Sequence, residues 1–189
     1  MKFKFVLIGL ISMLALPAMA QEDALKDFPG YVDFGELNSM FGEPSVQIAV
    51  GGALLGFVSA LSAYKDPEVA KLFKRLHGVR VSVFENPTIS ESTVEYVKSI
   101  SSKLKQQGWE SVVTVNTADE QIRIFMKFNG ENVEGITVMA LEEDEAVFIN
   151  VIGDLKPDEL GRVMENFDID MGGHDGDKGD ESDDGHDDE

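Results

Sequence analysis

A chain of 189 residues with no cysteine has length for one sizeable core, and it excludes disulfides, thiolate metal sites and thiol nucleophiles. Its 35 Asp and Glu against 16 Lys and Arg give a formal net charge of −19. Such a field repels nucleic acid and anionic lipid surfaces, and attracts cations or basic partners.

The first residues read as a cleavable export signal. Lys2 and Lys4 supply a positive start, and Val6 to Leu16 form an apolar run interrupted only by Gly9 and Ser12. Pro17 breaks the run, and Ala18-Met19-Ala20 places small residues where a signal peptidase accommodates them. The run falls short of the about 20 apolar residues that a membrane-spanning helix needs. No cysteine follows it to carry a lipid. Residues 1–20 are therefore expected to be removed near Ala20/Gln21, leaving a periplasmic or secreted product without a stable membrane anchor. Loss of Lys2 and Lys4 makes that product more acidic still.

Residues 21–30 form a polar leader with a Pro29-Gly30 turn signal, and residues 31–167 carry the patterns of a single domain. Ser45 to Val50 alternates as a half-buried strand with Val46, Ile48 and Val50 on one face. Gly51-Gly52 opens an apolar helix over Ala53 to Tyr64. A second helix starts with Asp66 as N-cap, Pro67 at its first position and Glu68 on the positive dipole end. Its stripe is Val69, Leu72, Phe73 and Leu76, with a stop expected at His77-Gly78. Val79 to Phe84 alternates as a strand, with Val79, Val81 and Val83 expected inward and Arg80 and Ser82 outward.

Asn86-Pro87 turns the chain, and Thr88 with Glu91 suggests a capping box for a long helix. That helix aligns Val94, Val97, Ile100 and Leu104 and ends at Gly108. Four strand-like runs follow at Trp109 to Val115, Gln121 to Phe128, Val133 to Leu141 and Ala146 to Ile152. Asn129-Gly130 predicts a type I′ hairpin turn between the second and third. A closing helix from Pro157 carries Leu160, Val163, Met164 and Phe167. Strands gathered in a four-stranded meander, with helices elsewhere, predict an α+β fold whose largely antiparallel sheet is covered by helices mainly on one face. Residues 168–189 are a low-complexity Asp/Gly/His tail too polar to fold.

The segments VQIAVGGALLGFVSALSAYKDPEVAKLFKRLHGVRVSVFE (Val46 to Glu85), Gly108-Trp109-Glu110 and FINVIGDLKPDELGRV (Phe148 to Val163) resemble the DUF4252 family of small bacterial exported proteins and lipoproteins. The resemblance spans most of the domain and implies the same fold and compartment. It transfers no catalytic residue. Many members carry a lipidation cysteine after the signal, and this chain has none.

Few residues qualify for chemistry. His77 is the one histidine of the expected domain, and a proton-transfer or metal role weighs less there than interaction with the negative end of its helix. A zinc site needs three or four ligands, and no G-x-S-x-G marks a serine nucleophile. Glu142-Glu143-Asp144-Glu145 reads as a solvated acidic turn rather than a catalytic pair. Gly51-Gly52 and Gly56 lack the Lys-Ser/Thr of a phosphate loop, so close packing of Gly52 and Gly56 on the sheet is expected instead. Trp109 reads as a core anchor.

In the tail, His174, Asp175, Asp177, Asp180, Asp183, Asp184, His186 and Asp187 offer oxygen and imidazole ligands for divalent cations. The spacing fails the EF-hand pattern, with Asp180 where Gly belongs and His186 where Glu belongs. The first expectation is a non-catalytic protein without a bound cofactor, binding an unidentified protein or envelope component. Weak divalent-cation binding through the tail is the alternative, and an enzyme using carboxylates alone is the third.

Overall fold

The computed structural model describes residues 23–117 and 120–156. The export leader, the closing helix expected from Pro157 and the acidic tail with its candidate metal ligands lie outside the described residues. In chain order the elements are α1 (Leu37–Phe41), β1 (Val46–Gly51), α2 (Gly52–Ser62), α3 (Pro67–Arg75) and β2 (Leu76–Glu85). They continue with α4 (Glu91–Gln106), β3 (Glu110–Asn116), β4 (Glu120–Asn129), β5 (Asn132–Glu142) and β6 (Glu145–Leu155). All strand pairs are antiparallel, in the order β1-β2-β6-β5-β4-β3, so the expected α+β class and the C-terminal meander are both present.

Local chemistry explains most boundaries. The Asp66 carboxylate accepts the N–H groups of Glu68 and Val69 at 3.0 and 3.1 Å, which caps α3 as its sequence predicts. The start of α4 differs from expectation by two residues. Ser90 is its N-cap and exchanges hydrogen bonds with Thr93, a capping box closed by a hydroxyl rather than by Glu91. The β4–β5 turn also differs. Asn129 pairs with Asn132, and only Gly130 has a positive φ (62°), so Gly130-Glu131 forms the type II′ pattern rather than I′.

One sheet face holds the core. Phe84, Phe125, Met139, Leu141, Ala146 and Phe148 point into it and are 0–1 % exposed. They meet Val97, Ile100 and Leu104 of α4, and Val32, Phe34, Leu37 and Phe41 of the N-terminal segment. Trp109 belongs to this cluster at 3 % exposure, the core anchor its position implied. Burial of these side chains contributes roughly 1.5–3 kcal/mol each before entropy is counted.

The orientation of β2 reverses the expectation. Phe84 lies on the core face, so Arg80 and Ser82 share that face and Val79, Val81 and Val83 turn to the other. Arg80 is accommodated there because its guanidinium donates to the Val32 carbonyl at 2.8 Å and lies over the Tyr31 ring at 4.7 Å.

Candidate functional site

His77 is not at a helix end. Helix α3 stops at Arg75, because Leu76 turns extended and pairs with Gly153 of β6. His77 therefore stands in β2, stacked on Phe28 with ring centroids 4.4 Å apart at 15°. It borders a hollow of about 310 Å³ with Asn129, Asn132, Glu134 and Asp154. The carboxylates beside it are engaged: Glu134 accepts from Asn129 at 2.7 Å, and Asp154 lies 3.8 Å from Arg75. Among the described residues no group of His, Asp and Glu is arranged to hold a metal.

The Gly51-Gly52 turn starts α2 with an extended Gly51 and no side-chain cap. Close packing at Gly52 and Gly56 is corrected by the structure. A methyl on Gly56 would meet nothing within 4 Å, and one on Gly52 would come no nearer than 3.8 Å to the His77 carbonyl. Close approaches are found instead where Gly30 crosses β5: a methyl on Gly30 would fall 1.9 Å from the Glu134 carbonyl oxygen, and one on Gly135 would fall 2.6 Å from the Trp109 ring and 2.7 Å from Gly30 Cα. Helix α2 is apolar on all sides, which leaves Phe57 and Leu61 exposed. Its packing partner is α3, where the Ser59 hydroxyl donates to the Ala70 carbonyl at 2.7 Å.

The second sheet face is the unusual surface. Strand register aligns its side chains in rows that cross all six strands. The middle row is Ile48, Val81, Ile149, Val138, Ile124 and Val113. One flanking row is Val46, Val83, Val147, Ala140, Ile122 and Val115. The other is Val50, Val79, Val151, Ile136 and Met126, ending in Glu110. Every position but Glu110 is aliphatic. Except for Ala140, none of these aliphatic residues is buried, whereas on β4, β5 and β6 the alternates Arg123, Phe125, Thr137, Met139, Phe148 and Asn150 on the core face are.

A charged row borders this face. Glu85 pairs with Glu145, and Glu120 pairs with Glu142. The Leu141–Ala146 pair brings Glu142 and Glu145 side by side at the mouth of the hairpin. By the alternation of strand side chains, all four carboxylates share the aliphatic face, about 7 Å beyond the Val83 row. None has a basic partner among the described residues. Like charges directly opposite across a ladder destabilise it. The acidic turn was legible as solvated, but sequence left Glu85 and Glu120 unconnected to it. Only the register of four strands joins them.

The class this arrangement defines is an antiparallel α+β domain with one packed face and one partly open aliphatic face ending in carboxylates. The chain belongs to the DUF4252 family, a domain of unknown function, whose model matches residues 41–163. No curated protein and no solved structure matches it. Among the described residues no helix is long and apolar enough to cross a membrane.

Proposed function

We propose that this chain is an exported, non-catalytic binding protein that docks a protein or envelope component on its aliphatic sheet face. The observation that carries the reading is that face itself: three rows of Val, Ile and Met spanning every strand and left partly open. Sheets are stable when both apolar faces are covered, and a contiguous apolar face that stays partly open across the sheet is the kind of surface an interaction partner covers. The six strands span about 24 Å at about 4.8 Å spacing, wide enough for two helices. Export rests on the leader sequence at residues 1–20.

Site-specific photocross-linking in living cells tests the proposal. A photoreactive residue at Val81 or Val138 should yield a defined cross-linked partner, and one at Lys98 on the outer surface of α4 should not. No product from the face, or the same products from Lys98, rejects the reading.

A divalent-cation role for the tail is the second reading, favoured by the clustering of His174, His186 and their neighbouring aspartates. Calorimetry with Ca²⁺ and Zn²⁺ on chains with and without residues 168–189 tests it. Identical isotherms reject it.

A further inference from the structure

We infer that the partner of the aliphatic face is a helical protein segment whose apolar stripe ends in basic residues. This rests on the proposed docking face and adds the chemistry of what docks there.

Apart from Glu110 at the β3 edge, the rows present no hydrogen-bonding side chain, so an occupant must offer an apolar surface to each of them. Helix α4 shows how this sheet is covered on its other side, with Val97, Ile100 and Leu104 packed into the core cluster. The row of Glu85, Glu145, Glu142 and Glu120 then fixes the polarity of the occupant. These carboxylates stand opposite one another in register, unneutralised by any described side chain. A ligand bringing Lys or Arg to that row relieves the repulsion and gains complementary charge, which governs specificity and association rate.

The spacing is definite. From Val81 in the middle row to Glu85 is four strand residues, about 13 Å. A helix covers that distance in about nine residues. The occupant's basic residues therefore lie about nine positions from the centre of its apolar stripe. A second copy of the chain fits poorly, because it brings its own net charge of −19. An anionic bilayer is repelled by the same field. Residues 157–167 of the chain itself carry Asp158, Glu159 and Glu165 against Arg162, the wrong balance for this row.

Two labelled 18-residue helical peptides with the same leucine stripe test the inference, one ending in three lysines and the other in three glutamates. Fluorescence anisotropy is read against the chain from Gln21 to Glu189. The lysine peptide should bind at least about tenfold tighter at low salt, with the advantage shrinking as ionic strength rises. The surface variant E142Q/E145Q should lose most of that advantage while keeping the far-ultraviolet spectrum. Equal affinities, indifference to E142Q/E145Q, or binding that emerges only when residues 157–167 are removed would each overturn it. So would self-association through this face that excludes both peptides. Equal affinities together with a cross-link at Val81 or Val138 sink the charge inference alone, whereas absence of that cross-link sinks the docking face itself.

Discussion

Asn150 of β6 holds Val32, a residue 118 positions away, through its side-chain amide: the Oδ1 atom accepts the Val32 N–H at 2.9 Å. The same amide donates from Nδ2 to the Gly30 carbonyl at 2.9 Å, and Asn150 is fully buried. One side chain thus satisfies backbone groups of a segment that crosses the sheet without a strand ladder of its own. That crossing closes the core face and brings Phe34, Leu37 and Phe41 over it.

Truncating this amide should be costly. Asn150→Ala leaves the Val32 N–H and the Gly30 carbonyl without their buried partner, at about 1–3 kcal/mol for each unsatisfied group. The expected loss is about 3 kcal/mol in urea unfolding, with faster amide exchange confined at first to residues 28–34. A loss below about 1 kcal/mol would show that the segment is held by its apolar side chains alone.

A second clamp predicts alkaline sensitivity. The Tyr96 hydroxyl donates to the Phe34 carbonyl, and burial, with Asp33 and Glu36 nearby, pushes it above the ordinary tyrosine value of 10.0. The folded state therefore holds this proton more tightly than the unfolded state. Its contribution is complete below about pH 10 and is lost as pH rises from there through the folded value. Wild-type stability should fall across that window. Tyr96→Phe should flatten the fall and cost about 1 kcal/mol at neutral pH. Parallel pH profiles for the two proteins would refute the assignment.

These clamps mark where sequence reading stops. The Asp66 cap and the strand runs were legible because their determinants lie within a few residues. The direction of β2 was not. With aliphatic residues on one face and Phe84 on the other, alternation alone could not say which face meets α4. Arg80 reads as solvent-facing until Val32, 48 residues earlier, accepts its hydrogen bond. His77 read as a helix stop because the pairing of Leu76 with Gly153 is made by a strand far along the chain. The aliphatic face was visible strand by strand as Val and Ile, but its continuity and its acidic border follow only from register.

The acidic border makes a stability prediction independent of any partner. Glu145→Lys replaces a repulsion with Glu85 and Glu142 by attraction, and should stabilise the fold by about 0.5 kcal/mol. The wild type should also gain stability with added salt, and the variant should gain less. If binding is the reason for the repulsive row, the same substitution should weaken the lysine-ended peptide while raising the melting temperature. A variant that lost stability would mean the carboxylates serve the fold itself.

Arg123 offers the complementary case on the core face. It is 9 % exposed, and the described residues give its guanidinium a bond to Asn116 Oδ1 at 2.9 Å, with Nε unsatisfied. Gln121, next on that side of β4, leaves its Oε1 unsatisfied as well. A buried cation so sparsely partnered costs more in desolvation than it regains, and well-packed apolar replacements of such groups are often neutral or stabilising by about 1–4 kcal/mol. Arg123→Met keeps most of the side-chain length and should leave stability unchanged or raise it in urea unfolding. Arg123→Ala should lower stability by opening a void beside Met139, its cross-strand partner. Equal losses for the two variants would mean that the charge itself holds this corner, and that Asn116 is only part of its environment.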